Sequence, residues 1–253
     1  MYHAVSQVQD ELKHICVSPK RFEAQMLYLK RRGLRGVSVH ELLRAMSAGN
    51  ASKLIGLTFD DGYENFLQAA LPVLRRCGFS ATMFVVTKGM LSGENIWDQT
   101  SRIKLLGVDG VREVAKQGIE IGAHSMSHTR LSDALEPEAL EREIVHSREI
   151  LSETLGREIQ GFCYPYGDMN DRVRHRVQQA GYAYACGASA WKGIVQGSTY
   201  NLPRVHVGYR DGDFRLRAKL YAYSQYARIP STWATKIAHP TVRRFGSRIW
   251  FGW

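Results

Sequence analysis

Residues 54–62 read LIGLTFDDG, an apolar run followed directly by two adjacent aspartates and a glycine. The run from Leu54 to Phe59 predicts a buried strand, because short apolar segments bounded by turn residues are typical of parallel sheets. Asp-Gly after such a run is commonly no more than a turn. However, adjacent carboxylates each raise the pKa of the other. The Asp60–Asp61 pair is therefore either a solvated turn or lies against a positive charge.

Short apolar strands alternate with amphipathic helices along most of the 253-residue chain. This alternation indicates βα units around a parallel sheet. The length and the hydrophobic fraction of 44% suit one core of α/β-barrel size. The predicted strands are 54–59, 81–86, 119–123, 161–164, 183–187 and 203–207, and the predicted helices are 21–33, 39–48, 72–77, 111–116, 137–155 and 171–180.

Polar clusters follow three of these strands. In a βα barrel the carboxyl ends of the strands form one face, so these clusters are expected to meet. The imidazoles of His124 and His128 and one carboxylate of the Asp60–Asp61 pair would give three ligands and leave a position open. This is a common layout for a catalytic divalent ion. Such an ion would also make two neighbouring ionised aspartates tolerable. The clusters are Asp60 with Asp61, His124 with His128 in HSMSH, and Pro165-Tyr166-Gly167.

Taken singly, each cluster has an ordinary explanation. The aspartates can form a solvated turn, and the two histidines of HSMSH can be unrelated surface residues. Pro-Tyr-Gly after a strand is usually a rigid turn with a packed ring. Only the combination of all three clusters at one end of a sheet favours a metal site.

The order TFDDG, HSMSH and PYG resembles the NodB-type polysaccharide deacetylases, carbohydrate esterase family 4. The resemblance runs from Met1 to about Gly208, and MYHAV resembles the first strand of that family. It implies an α/β fold, a distorted (β/α) barrel of about seven strands, over residues 1–210. Residues 211–253 would then form a basic, aromatic C-terminal extension. The implied reaction is hydrolysis of the N-acetyl group of an amino sugar in a polysaccharide, oligosaccharide or lipid-linked glycan.

The resemblance also implies roles for single residues. It makes Asp60 the general base for the attacking water, and the backbone N–H of Tyr166 a donor that stabilises the oxyanion. His206, in LPRVH, is the candidate general acid for the departing amine, although a histidine there could equally make structural hydrogen bonds. His3 either lines the pocket or is structural. The implied ligands of a divalent metal, usually zinc in this family, are Asp61, His124 and His128.

Cys163 departs from the family pattern, which usually has an arginine at this position to orient the catalytic aspartate. Three interpretations are open: another arginine replaces it, Cys163 is a packed thiol, or Cys163 approaches the metal. Arg204 and His206 are two residues apart on the predicted strand 203–207, so their side chains should point to the same side. Our hypothesis is that Arg204 supports Asp60.

The positive charge is concentrated at the C-terminal end. Residues 214–253 contain eight Lys or Arg and no acid, so they carry +8 of the net charge of +10. The nearly neutral remainder argues against a nucleic-acid-binding protein. The mixture of arginine with tryptophan and phenylalanine is typical of segments that lie on anionic membranes. Alternatively, the extension packs on the barrel with its arginines in solvent.

The sequence shows no signal peptide and no apolar run long enough for a membrane span. We therefore expect a cytoplasmic protein, peripheral at the inner membrane face if the basic extension binds lipid. The four cysteines lack CxxC spacing and are expected to be reduced.

Two other functions are compatible with the same residues. One is hydrolysis of a different amide, such as a small cyclic amide or a ureide. The other is a carbohydrate-binding barrel without catalytic activity. The presence of both aspartates and both histidines argues against the second alternative.

Overall fold

The structure, a computed structural model, describes residues 1–7, 15–96, 103–133, 135–188 and 198–226. Its centre is a five-stranded parallel sheet in which the strands follow each other in chain order. Helices lie between successive strands, as right-handed βαβ connections require. The strands are β5 (Thr58–Phe59), β6 (Thr82–Val85), β7 (Glu120–Ala123), β8 (Gly161–Cys163) and β9 (Tyr184–Cys186).

The N-terminal residues extend this sheet beyond β5. Tyr2 forms a parallel bridge with Phe59. The Tyr2 N–H donates to the Thr58 carbonyl at 2.8 Å, and the Asp60 N–H donates to the Tyr2 carbonyl at 2.9 Å. The main chain before Ala4 therefore lies alongside the strand that carries both aspartates.

Residues 202–207 link the two edges of the sheet. Leu202 bridges Cys186 at the end of β9. On the other side, the Met1 nitrogen donates to the Val205 carbonyl at 2.8 Å, and the Val207 N–H donates to the Met1 carbonyl at 2.9 Å. Five strands and these two segments close a ring, which confirms the predicted distorted barrel of about seven strands.

Two of the predicted strands were wrong in detail. The run 54–59 is split at Leu57 into β4 (Leu54–Gly56), which is only half-buried, and β5. The split arises because β4 pairs with β3 (Arg35–Val37) in a separate sheet, whereas β5 pairs with β6. Residues 203–207 form no strand. Pro203 has no N–H to donate, and the main chain of this segment shares two hydrogen bonds with Met1, at Val205 and Val207, which is too short a ladder for a strand. A third small sheet pairs β1 (Ala4–Val5) with β2 (Cys16–Val17).

The structure contains the predicted helices, although those predicted to start at residues 21 and 111 begin earlier, at Pro19 and Val108. Ser18 and Ser38 each accept a hydrogen bond from the first turn of the helix that follows them. Gly78 and Gly156 each end a helix in a left-handed conformation. The predicted helix 137–155 is continuous, but a π-helical turn joins its two parts. The helices are α1 (Pro19–Arg31), α2 (Val39–Ser47), α3 (Leu71–Cys77), α4 (Thr87–Ser92), α5 (Val108–Lys116), α6 (Pro137–Glu141), α7 (Ser147–Leu155), α8 (Asp171–Gln179) and α9 (Asp213–Tyr226), with π turns at Phe66–Ala70 and Arg142–His146.

An aromatic cluster holds β5 in place. The ring of Phe59 lies 5.4 Å from that of Tyr2, 5.7 Å from that of Phe22 and 4.8 Å from that of Phe66. All four side chains are buried. Because Phe59 directly precedes Asp60, this packing fixes the point at which the two carboxylates leave the strand.

Candidate active site

Asp61, His124 and His128 meet at the carboxyl ends of β5 and β7, and all three are buried. The Nε2 atoms of His124 and His128 lie 3.4 and 3.3 Å from Oδ1 of Asp61. Two segments that are about sixty residues apart in sequence thus direct one carboxylate oxygen and two ring nitrogens at a common point.

The chemistry of these three residues fits a divalent cation. His124 Nδ1 donates to the Cys163 carbonyl at 2.8 Å, so Nε2 faces Asp61 and, in the neutral ring, directs a lone pair towards it. Asp61 Oδ1 is buried and accepts no hydrogen bond. A buried carboxylate oxygen facing a ring lone pair is costly unless a positive charge lies between them. Two imidazoles and one carboxylate are a donor set that zinc favours.

The backbone around this point is unusual. Asp61, Ser125, His128 and Tyr166 are the non-glycine residues with positive φ in the described part of the chain, at 74°, 61°, 61° and 58°. Left-handed conformations of such residues cost about 1–3 kcal/mol each and persist where surrounding contacts enforce them. All four belong to the three polar clusters that the sequence analysis singled out.

Arg204 and Asp60 form a buried bidentate ion pair. Arg204 Nη1 donates to Oδ1 at 2.6 Å and Nη2 donates to Oδ2 at 2.8 Å. Arg204 Nε is fixed in turn by the Gly187 carbonyl at 2.7 Å. Burial alone raises the pKa of Asp60, but the charge and hydrogen bonds of Arg204, with His124 and His3 nearby, outweigh it and bring the pKa to about 2. Asp60 is therefore ionised at neutral pH.

Cys163 lies against this ion pair. Arg204 Nη2 donates to Cys163 Sγ at 3.0 Å, and Sγ is 3.7 Å from Asp60 Oδ2. Burial raises the pKa of the thiol, with the carboxylate of Asp60 adding to the effect. The sulfur, Asp60 and His124 could also hold an ion. However, the guanidinium already engages Asp60 and Cys163, so the Asp61 set is the better metal site.

His3 lies closer to the aspartates than the sequence analysis emphasised. Its Nε2 is 4.0 Å from Asp60 Oδ2, and its Nδ1 is buried without a hydrogen bond. Burial lowers the pKa of this imidazole. The signal for His3 was its place in the chain, since it follows Tyr2 along the segment that pairs with β5.

His206 lies behind His3. The two ring centroids are 5.5 Å apart, and His3 in turn lies 4.0 Å from Asp60. Burial lowers the pKa of His206 to about 3, with a further contribution from His3. Both rings are therefore neutral at pH 7.

Tyr166 forms the rim of the site. It lies in the turn Pro165–Gly167, is 53% exposed, and packs edge-on against His128 with ring centroids 4.6 Å apart. The guanidinium carbon of Arg130 lies over the tyrosine ring, 4.8 Å from its centre. Arg130 was missed in the sequence analysis, because an isolated exposed arginine carries no local signal.

The start of the C-terminal extension packs on the barrel domain. Helix α9 begins this extension, and its Leu216 and Ala218 are buried. The Asp211 carboxylate accepts a hydrogen bond from Lys219 Nζ at 2.7 Å. The Asp211 main-chain carbonyl accepts one from Gln25 Nε2 of α1 at 2.6 Å. The rest of the extension, residues 227–253, lies outside the described residues. Among the helices that are described, none has the length and apolar character needed to cross a bilayer.

Comparisons with known proteins concern the family and the fold. A family model described as polysaccharide deacetylase matches residues 48–185. YxkH of Bacillus subtilis (strain 168) is 26% identical over 209 residues, covering 82% of this chain and 70% of that protein. The poly-beta-1,6-N-acetyl-D-glucosamine N-deacetylase of Staphylococcus aureus (strain MRSA252) is 25% identical over 205 residues, covering 77% of this chain and 69% of that protein. The structure of the Streptococcus pyogenes deacetylase PplD superposes with a TM-score of 0.75 at 24% identity, covering 87% of this chain and 95% of that chain.

Proposed function

The chain belongs to the polysaccharide deacetylase family, and we propose that it removes acetyl groups from N-acetylated amino sugars of a glycan with the help of a divalent metal. The family makes it a hydrolase of linear amides, whereas the metal and the substrate are our proposal. The observation that carries the proposal is Asp61 Oδ1, which two imidazole nitrogens flank at 3.4 and 3.3 Å beside the ionised Asp60.

The substrate class follows from the relatives. The Staphylococcus aureus protein is named for its action on poly-beta-1,6-N-acetyl-D-glucosamine, a polymer with an acetamido group on every sugar. We assign to this chain the same reacting group, an acetamido sugar within a polysaccharide, oligosaccharide or lipid-linked glycan. The exposed Tyr166 ring at the rim is a suitable surface for a pyranose.

Asp61, His124 and His128 would hold the metal, with zinc as the first choice for this donor set. The ion supplies Lewis acidity that polarises the amide carbonyl and makes water easier to deprotonate. The Cys163 carbonyl orients the His124 ring, since it fixes the proton on Nδ1.

Asp60 is the proposed general base, and Arg204 positions it. The two guanidinium hydrogen bonds fix the carboxylate plane, and each oxygen keeps a second lone pair that can accept the proton of the attacking water. Arg204 also lowers the basicity of Asp60, and a metal held by Asp61, His124 and His128 would compensate by making the attacking water more acidic.

Water adds to the amide carbon, the C–N bond breaks, and the proton from water ends on the departing amine. The Tyr166 N–H is the proposed donor to the oxyanion. His206 is the proposed acid, and it delivers a proton only after gaining one, because its resting ring is neutral. His3 lies near both Asp60 and His206, so it offers a route by which that proton passes.

An acetate-release assay on N-acetylglucosamine oligomers tests this function. We expect release that stops when a chelator removes the metal and returns when Zn²⁺ is added. Cyclic amides and ureides serve as comparison substrates. Turnover of these alone would replace the proposal with another amide hydrolase. Metal binding without turnover of any substrate would indicate a carbohydrate-binding barrel.

For the basic extension we keep the proposal of an anionic membrane surface as a partner, which would place the protein at the inner membrane face. Its support is the charge of +8 over residues 214–253 together with the aromatic residues. Co-sedimentation with anionic vesicles should fall when residues 245–253 are deleted. Equal co-sedimentation of the deleted and full-length proteins would argue for packing on the barrel.

A further inference from the structure

We propose that Glu143 is the positioning residue of the metal site, an inference that rests on the metal binding proposed above. Glu143 lies in the π turn Arg142–His146, between α6 and α7. Its carboxylate engages the main chain between His124 and His128, so it acts on the metal ligands through the loop that connects them.

Three side-chain hydrogen bonds join Glu143 to this loop. Oε2 accepts the N–H groups of Met126 at 3.1 Å and Ser127 at 2.9 Å. Oε1 accepts the Ser127 hydroxyl at 2.6 Å. Both oxygens act as acceptors, which suits an ionised carboxylate; an amide would carry no negative charge and would have to reverse the bond to the Ser127 hydroxyl. Charge-assisted bonds of this kind are the stronger ones.

The loop requires such support because of its backbone. Ser125 and His128 both have φ of 61°, although neither is glycine. This conformation persists only where contacts enforce it. The Ser125 hydroxyl accepts the His128 N–H at 3.0 Å, and the Met126 carbonyl accepts the Lys88 N–H at 2.9 Å. Among the described contacts of Met126 and Ser127, Glu143 is the one charged group, and it satisfies two successive N–H groups midway between the ligands.

The π turn gives Glu143 a second means of holding the loop. Its main-chain carbonyl accepts the Met126 N–H at 3.1 Å, in addition to the bond from the carboxylate. A π turn shifts the hydrogen bonds within a helix by one residue, and such turns occur frequently at functional sites. Glu143 therefore lies in the π turn of the helix and also bonds to the loop in which Ser125 and His128 have positive φ.

The decisive experiment measures Zn²⁺ affinity by competition with a chromophoric chelator. We expect Glu143→Gln to bind Zn²⁺ about 10- to 100-fold more weakly than the unaltered chain, as for other residues that orient metal ligands. The matched control is Glu149→Gln, which removes the same charge from an exposed position on α7. It should change the affinity less than two-fold.

Two further measurements separate positioning from a general loss of stability. Amide hydrogen exchange of Met126 and Ser127 in the metal-free protein should accelerate in Glu143→Gln and stay unchanged in Glu149→Gln. The visible spectrum of the Co²⁺-substituted protein should change with Glu143→Gln, because the ligand geometry changes. If Glu143→Gln does not fold, Ser127→Ala takes its place. It removes one donor and should weaken Zn²⁺ binding about two- to ten-fold.

The outcomes distinguish the two proposals. If the unaltered chain binds no Zn²⁺, the metal site itself is wrong, and the role of Glu143 is wrong with it. If the unaltered chain binds Zn²⁺ and Glu143→Gln binds it equally well with unchanged exchange, only the role of Glu143 is overturned. If Glu143→Gln cannot be purified, Ser127→Ala decides the question. Undiminished Zn²⁺ affinity of Ser127→Ala would then overturn the positioning role of Glu143.

Discussion

Arg204 and Asp60, 144 positions apart in the chain, meet in a buried ion pair through hydrogen bonds of 2.6 and 2.8 Å. The guanidinium also contacts the sulfur of Cys163, the position at which the related family usually has arginine. Deep burial makes this pair expensive to form and still more expensive to break, because removing one partner leaves an uncompensated charge. The ion pair therefore links stability and catalysis in one contact.

Removing the guanidinium should affect both properties. We expect Arg204→Ala to lower the free energy of unfolding by about 3–5 kcal/mol, because Asp60 is left buried and unpaired. Turnover should fall as the carboxylate loses its orientation. Arg204→Lys should recover part of the stability but little of the turnover, since an ammonium cannot form the two parallel bonds. Urea denaturation and acetate release measure these effects. Unchanged turnover in Arg204→Ala, with Asp60→Asn inactive, would contradict the positioning role.

The site should accept only one guanidinium. Cys163→Arg alone places a second positive charge in a buried space, so we expect lower stability than in the unaltered chain. In the double variant Cys163→Arg, Arg204→Ala, a single arginine again faces Asp60. This variant should be more stable than either single variant, with a coupling energy of about 0.5–3 kcal/mol in a double-mutant cycle. Additive effects of the two substitutions would show that the new arginine does not reach the carboxylate.

Metal binding should stabilise the fold. At a Zn²⁺ concentration 100 times the Kd, the free energy of unfolding should exceed that of the metal-free protein by about 2.7 kcal/mol. His128→Ala should remove most of this increment, because it deletes one of three ligands. His175→Ala, at an exposed position on α8, should retain it. Thermal unfolding with and without chelator provides the measurement, and equal increments in both histidine variants would exclude His128 as a ligand.

The grouping of the three proposed ligands was predictable from sequence because each lies within a few residues of a strand end. TFDDG and HSMSH carry their chemistry locally, and parallel strands bring their carboxyl ends together whatever the details of the connections. The alternation of strands and helices indicated the parallel sheet, and the resemblance to the family implied the distorted barrel.

Features that depend on distant partners were not predictable in the same way. The break at Leu57 falls within an unbroken apolar run, because it arises when the hydrogen-bonding partner changes from β3 to β6. Arg204 was suggested by the absence of arginine at position 163 and by its spacing to His206 on a predicted strand, which the structure does not form. Glu143 gave no signal, since a glutamate in a helix is ordinary until the loop beside it is known.

The neutral state of His206 predicts a dependence of stability on pH. Its pKa falls from 6.5 to about 3 in the folded protein, mainly through burial. Between these values the unfolded chain binds a proton that the folded protein does not, so the contribution of His206 to stability decreases as the pH falls from 6.5 towards 3. His206→Gln removes the titrating group, and its free energy of unfolding should therefore decline less steeply over this range. Urea denaturation at pH 7, 5.5 and 4.5 tests this difference, with His175→Gln as the exposed control. Parallel curves for His206→Gln and the unaltered chain would mean that the imidazole titrates as it does in water.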